Sequence, residues 1–288
     1  MKELSGWIWK ILIGTVLVLG GCEGEKTIPS SQKFAEQAVV FSIPGYDQID
    51  SAQVFFFKKF PAKDSLVIRK TVYDISGTPK AFSFSLPLGY YTMVIIGNVA
   101  SDRIVARPPY SRDSIWIDYQ GQENIPALYF GENAMNVGVN SIGLSGMLLL
   151  TAAVELTVKN VPDNVDQIDI DLANTAAICD FNFRLGPEPM QPPVGANIYE
   201  TQAGNTYTVS ISSFPSVGNE LSYLELRCYD KDGILVYNGK SASFPSQHGR
   251  RRVVTCSFPS ATSLSTKSVS SGICPEDRLI WEYDEESF

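Results

Sequence analysis

Hydrophobic and polar residues alternate along most of the chain. In AFSFSL, Phe82, Phe84 and Leu86 fall on one face and Ser83 and Ser85 on the other. VELTVK sets Val154, Leu156 and Val158 against Glu155, Thr157 and Lys159. QIDIDLA aligns Ile168, Ile170 and Leu172, FNFRL aligns Phe181, Phe183 and Leu185, and YTVSIS aligns Tyr207, Val209 and Ile211. A period of two with one apolar face predicts half-buried antiparallel strands. VFFF (54–57) and TMVIIGN (92–98) lack alternation and suit central strands covered on both sides.

Turn residues punctuate these runs at short intervals, in SIPGYD, DISGTPK, LPLGYY, NVPDNVD and YDKDGI. Asp232-Gly233, between LELRCY and ILVYNG, predicts a hairpin. No long stretch of helical period occurs beyond the N-terminal segment. Many short strands with regular punctuation predict an all-β fold of sandwiches. One sandwich takes about 100 residues, so 288 residues suggest two in tandem. The expected boundary precedes MLLLTAAVELTVKNV, because GENAMNVGVNSIGLSG before it is rich in Gly, Asn and Ser, like a connector.

Composition narrows the function classes. The chain is 44% hydrophobic and 19% charged, as a folded protein is. A net charge of −8 makes it a poor partner for nucleic acid, whose phosphates require Lys and Arg. His248 is the one histidine, so no multi-histidine metal site can form. No Ser or Cys motif accompanies it. We therefore expect no enzyme, no cofactor and no metal.

The N-terminus carries its own signal. Residues 1–21 have lysines at 2 and 10 and an apolar core from Ile11 to Leu19. The uncharged run to Cys22 falls short of the ~20 residues that span a bilayer and fits a secretory signal. Leu19-Gly20-Gly21-Cys22 resembles the bacterial lipobox. That resemblance implies cleavage between Gly21 and Cys22 and acylation of the Cys22 thiol. Multiple acyl chains, at about 0.8 kcal/mol per buried methylene, hold a domain at a membrane where one chain does not. Residues 22–35 then read as a flexible tether. Glu23 and Glu25 are compatible with a surface-export mark.

Three stretches in order carry a further resemblance: SFSLPLGYYTMVIIGN (83–98), IPALYFGE (125–132) and AAVELTVKNVPDNVDQIDIDL (152–172). Their order, the two halves and the lipobox resemble the FimB-like fimbrial anchor subunits of type V pili. Those are surface lipoproteins of two transthyretin-like sandwiches. The resemblance implies sandwiches at 36–146 and 147–259, and residues 260–288 remain as a Ser/Thr-rich linker and acidic segment. It implies an outer-membrane subunit, held by acyl chains on Cys22, that roots or caps a pilus by strand addition to a shaft subunit. Shaft subunits of such pili are trimmed at an arginine, and residues 23–68 contain none. A tip or accessory subunit shares this fold. The rival reading is a surface module for glycan or host protein, which exposed Tyr90, Tyr110 or Trp116 clustered at one loop end would favour.

Other residues leave alternatives open. Cys179, Cys228 and Cys256 fall on apolar strand parity, as small buried hydrophobes do, and export also permits a Cys228–Cys256 disulfide. Cys274 lies in the tail. QHGRRRVV (247–254) reads as a charged turn entering a strand or as an anion patch. Asp166, Asp169 and Asp171 lack calcium-loop spacing and read as a polar strand face. Leu279, Trp281 and Tyr283 form a last strand of the domain or a segment that docks on a partner.

Overall fold

The computed structural model describes residues 34–41, 49–59, 64–73, 80–138, 142–144, 147–259 and 280–287. Their regular structure is β-strand apart from two single-turn 3₁₀ segments at Ser101–Arg103 and Arg112–Ser114.

The N-terminal half is a sandwich of two sheets. The smaller sheet holds β1 (Phe34–Phe41) between β4 (Lys80–Pro87) and β9 (Ile142–Leu144). The larger has the order β10-β8-β5-β2-β3, formed by β2 (Ser51–Lys58), β3 (Ser65–Tyr73), β5 (Gly89–Gly97), β8 (Tyr129–Val137) and β10 (Leu148–Leu149). The non-alternating runs at 54–57 and 92–98 are explained by two cores meeting at this sheet. Val54, Phe56, Tyr91, Met93 and Ile95 pack inward against Val39, Phe84 and Leu86. Phe55, Phe57, Val94 and Ile96 point the other way, into the core of the second half. Burying one such side chain contributes roughly 1.5–3 kcal/mol, so the second contact is a major part of the packing.

The C-terminal half is also a sandwich. One sheet has the order β15-β11-β18-β19, formed by β11 (Ala152–Lys159), β15 (Tyr207–Ser213), β18 (Arg250–Ser257) and β19 (Ile280–Ser287). The other has the order β14-β12-β16-β17, formed by β12 (Gln167–Ala173), β14 (Val194–Tyr199), β16 (Tyr223–Tyr229) and β17 (Leu235–Lys240). The expected hairpin joins β16 to β17. Gly233 takes φ +75° there, and Asp230 Oδ1 accepts from the Asp232 and Ile234 amides, each at 2.9 Å. Among the described residues all strand pairs are antiparallel except β1–β9 and β11–β18.

Two expectations are corrected. GENAMNV is not a connector but the body of β8, paired along its length with β5. Its buried side chains include Met135 and Val137, while Glu132 and Ala134 are exposed. FNFRL is not a strand. Residues 181–184 turn around Asp180, whose Oδ1 accepts from the Asn182 amide at 2.8 Å and the Arg184 amide at 2.9 Å. A short polar side chain that captures nearby amides competes with ladder pairing. Phe183 adopts φ +63° as a result.

Candidate functional site

The two halves are joined by a shared three-stranded sheet. β6 (Ile104–Ala106) and β7 (Ile115–Asp118) leave the first half, and β13 (Ile178–Asp180) of the second pairs with β7. Beside it, Phe181 lies edge-on to Phe55 at 4.8 Å and to Phe57 at 6.3 Å between centroids. Phe181 is 1% exposed, which makes it a plug across the joint. Arg112 grips Glu132 with two hydrogen bonds (2.7 and 3.0 Å) and donates from Nη2 to the Phe181 carbonyl at 3.1 Å. Asn182 and Arg184 donate to Asp113 at 2.7 and 3.0 Å. Local sequence patterns gave no signal for this joint, because its partners lie 60 or more positions apart.

Gly21, Cys22 and Cys274 lie outside the described residues. Cys179, Cys228 and Cys256 are fully buried free thiols, so this structure does not contain the Cys228–Cys256 bridge that export permits. Burial pushes all three thiols up, Cys179 and Cys256 to about 12, and the neighbouring Cys256 adds to the effect at Cys228.

His248 belongs to the joint. Its Nδ1 lies against the Leu150 carbonyl, and its ring meets Phe183 at 5.5 Å. Burial holds it below the usual histidine range, against a smaller opposing effect of the Leu150 and Phe183 carbonyls. Arg251 pairs with Glu155, and Arg252 stacks over Phe244 at 5.2 Å. The arginine run is therefore the start of β18, as the strand-entry reading has it. Asp169 and Asp171 share the outward parity of β12, opposite buried Ile168, Ile170 and Leu172, and Asp171 pairs with Arg227. Among the described residues no group of carboxylate, thiol and imidazole side chains is arranged to hold a metal. Trp116 is half-buried in the shared sheet under Arg107 at 4.9 Å. Tyr90 and Tyr110 are exposed.

β19 forms the outer edge beside β18, and its register sets Arg251 opposite Glu286 and Arg252 opposite Glu285. Residues 258–279 separate the two strands, although hairpin loops usually need 2–5 residues. At the other end of the chain, β1 is an interior strand. It makes eight register pairs with β4 and three with β9.

A family model described as "Mfa2: Fimbrillin-A associated anchor proteins Mfa1 and Mfa2" matches residues 35–248. Among solved structures, the fimbrial anchor protein Mfa2 from Porphyromonas gingivalis is 10% identical, with a TM-score of 0.51 over 88% of this chain and 98% of that one. A candidate cell adhesion protein from Bacteroides eggerthii is 9% identical, with a TM-score of 0.54 over 91% and 97%. A candidate adhesin from Bacteroides thetaiotaomicron is 12% identical, with a TM-score of 0.53 over 80% and 93%. At these identities the likeness is one of fold. No curated protein sequence matches the chain.

Proposed function

The chain belongs to the family of fimbrillin-A associated anchor proteins, and from that premise we propose that it is the lipid-anchored subunit that roots a fimbria at the outer membrane. The match over residues 35–248 carries the fimbrial role. The anchoring role is supported by the way the chain enters the fold. Twelve residues after Cys22, β1 begins, and it is held on both sides by other strands. Tension between a membrane-bound Cys22 and a fimbria loads β1 in shear across its backbone pairs with β4 and β9. An edge strand with one ladder would peel more easily.

The contact with the first shaft subunit is strand addition in which β19, the outer strand beside β18, is donated to the neighbour's sheet edge. β19 lies at the end of a long connection, whose reach is up to roughly 70 Å at about 3.3 Å per residue. Such a strand can pair with its own β18 or with a neighbour's edge, and either arrangement satisfies the same backbone groups. No catalytic group is needed. Removal of residues 280–288 tests this contact. The truncated chain should still reach the cell surface but should no longer recover pilin in a pull-down. Undiminished pilin recovery would exclude the β18–β19 edge. If deletion of the whole gene leaves cell-attached fimbriae unchanged in number and length, the anchoring role itself is wrong.

A further inference from the structure

A groove of about 650 Å³ runs along the outer face of the sheet β14-β12-β16-β17, where the first half overhangs the second. This volume lies within the ~300–1,000 Å³ typical of small-ligand sites. Gly195 lets β14 lie close against β12 at the floor of the groove. A Cβ added at Gly195 would lie 2.8 Å from the Ile170 carbonyl oxygen and 3.0 Å from Asp171 Oδ1. One wall is Glu123-Asn124 of the first half. It is fixed by the Gly195 amide donating to the Glu123 carbonyl at 3.1 Å, and by the Asn124 side-chain amide donating to the Gly195 carbonyl at 3.0 Å.

The floor presents hydrogen-bonding groups in alternation. Arg227 pairs with Asp171, and its Nε is buried with no partner. Asn197 donates to Asp169 Oδ1 at 3.1 Å and accepts from the Tyr199 hydroxyl at 3.3 Å. Apolar surface lies beside these groups. Tyr199 is 61% exposed, and Pro192-Pro193 line one side of the groove.

This mixture selects by elimination. An anion would meet the acidic residues Glu123 and Asp171. A cation would meet Arg227, and the floor carboxylate Asp171 is already engaged by it. A purely apolar ligand would cover the exposed parts of Arg227, Asp171 and Asn197 without pairing them. A neutral molecule with hydroxyls on its edges and a C–H face suits every part. Each hydroxyl both donates and accepts, so adjacent hydroxyls can bridge Arg227 to Asp171, while the C–H face lies on Tyr199. We propose that this groove binds a neutral saccharide, a property independent of whether the chain roots a fimbria.

The test is titration calorimetry on the full chain in a zwitterionic detergent. Maltotriose, cellotriose and mannotriose serve as neutral probes, 3′-sialyllactose as the anionic one and hexalysine as the cationic one. At least one neutral trisaccharide should bind with a sub-millimolar Kd. Tyr199→Ala and Asn124→Ala should each weaken it at least tenfold, and Tyr73→Ala, at an exposed site on β3, should leave it unchanged. The proposal is overturned if no neutral trisaccharide binds, or if Tyr199→Ala and Asn124→Ala bind as tightly as the parent. Tighter binding of 3′-sialyllactose or hexalysine than of any neutral probe also overturns it.

Discussion

Replacing Phe181 by alanine tests whether the two sandwiches unfold as one body. The ring is 1% exposed and fills the space between Phe55 and Phe57 of the first half and the core of the second. A buried Phe→Ala change costs about 3–5 kcal/mol, which combines lost transfer energy with the cavity left behind. With a urea m-value of about 3 kcal/mol/M, the midpoint should fall by about 1–1.7 M. In a chain starting at Glu23 only Trp116 and Trp281 remain as tryptophans. Trp281→Phe then leaves Trp116, on β7 in the shared sheet, as the sole fluorescent reporter of the joint. The shift should appear at Trp116 although the cavity is made by a residue of the second half. A Trp116 transition that moves by less than about 0.3 M would refute the coupling.

Three further outcomes follow from the same contacts. Asp180→Ala removes the acceptor for two amides and for Arg184 Nε at 2.6 Å, and should destabilise the chain by about 2 kcal/mol in the same urea assay. His248 is held below its ordinary value by burial, so its neutral form favours the fold. That contribution is present above the unfolded pKa near 6.5 and is lost as pH falls through the lower folded value. The melting temperature of the parent should therefore drop more between pH 7 and pH 5 than that of His248→Gln, and parallel profiles would contradict this. Cys179, Cys228 and Cys256 should react with a thiol reagent at pH 8 only after unfolding, because burial raises each thiol. An intact-mass loss of two hydrogens, mapped by peptide analysis to Cys228 and Cys256, would instead reveal the bridge.

The strands were legible where one face of a sheet meets a core and the other meets water. Ile168, Ile170 and Leu172 or Val154, Leu156 and Val158 announce themselves by alternation alone, and the structure buries each of them. The apolar run at 54–57 announced a strand covered on both faces, but not that its second cover is the other sandwich. Local pattern misled where side chains decide the backbone. Phe181 and Phe183 have strand spacing, yet Asp180 captures the intervening amides and turns the chain. The Gly and Asn of β8 mimic a connector because its ends and Met135 carry most of its burial. The groove was the least legible feature, since Glu123, Asp171, Gly195 and Arg227 converge from distant segments. Its one local sign was a glycine inside the strand VGANIY, a mark of close backbone approach.

The central claim is that the fold is tied to a membrane through Cys22 and to a fimbria through its sheet edge. Cys22→Ala, expressed in place of the parent, tests it most directly. Cells should then lose acyl labelling of this chain, and fimbriae should pass from the cell fraction into the medium while subunit levels stay equal. If the Cys22→Ala chain remains in the membrane fraction and fimbriae stay attached in normal number, the anchoring account is contradicted.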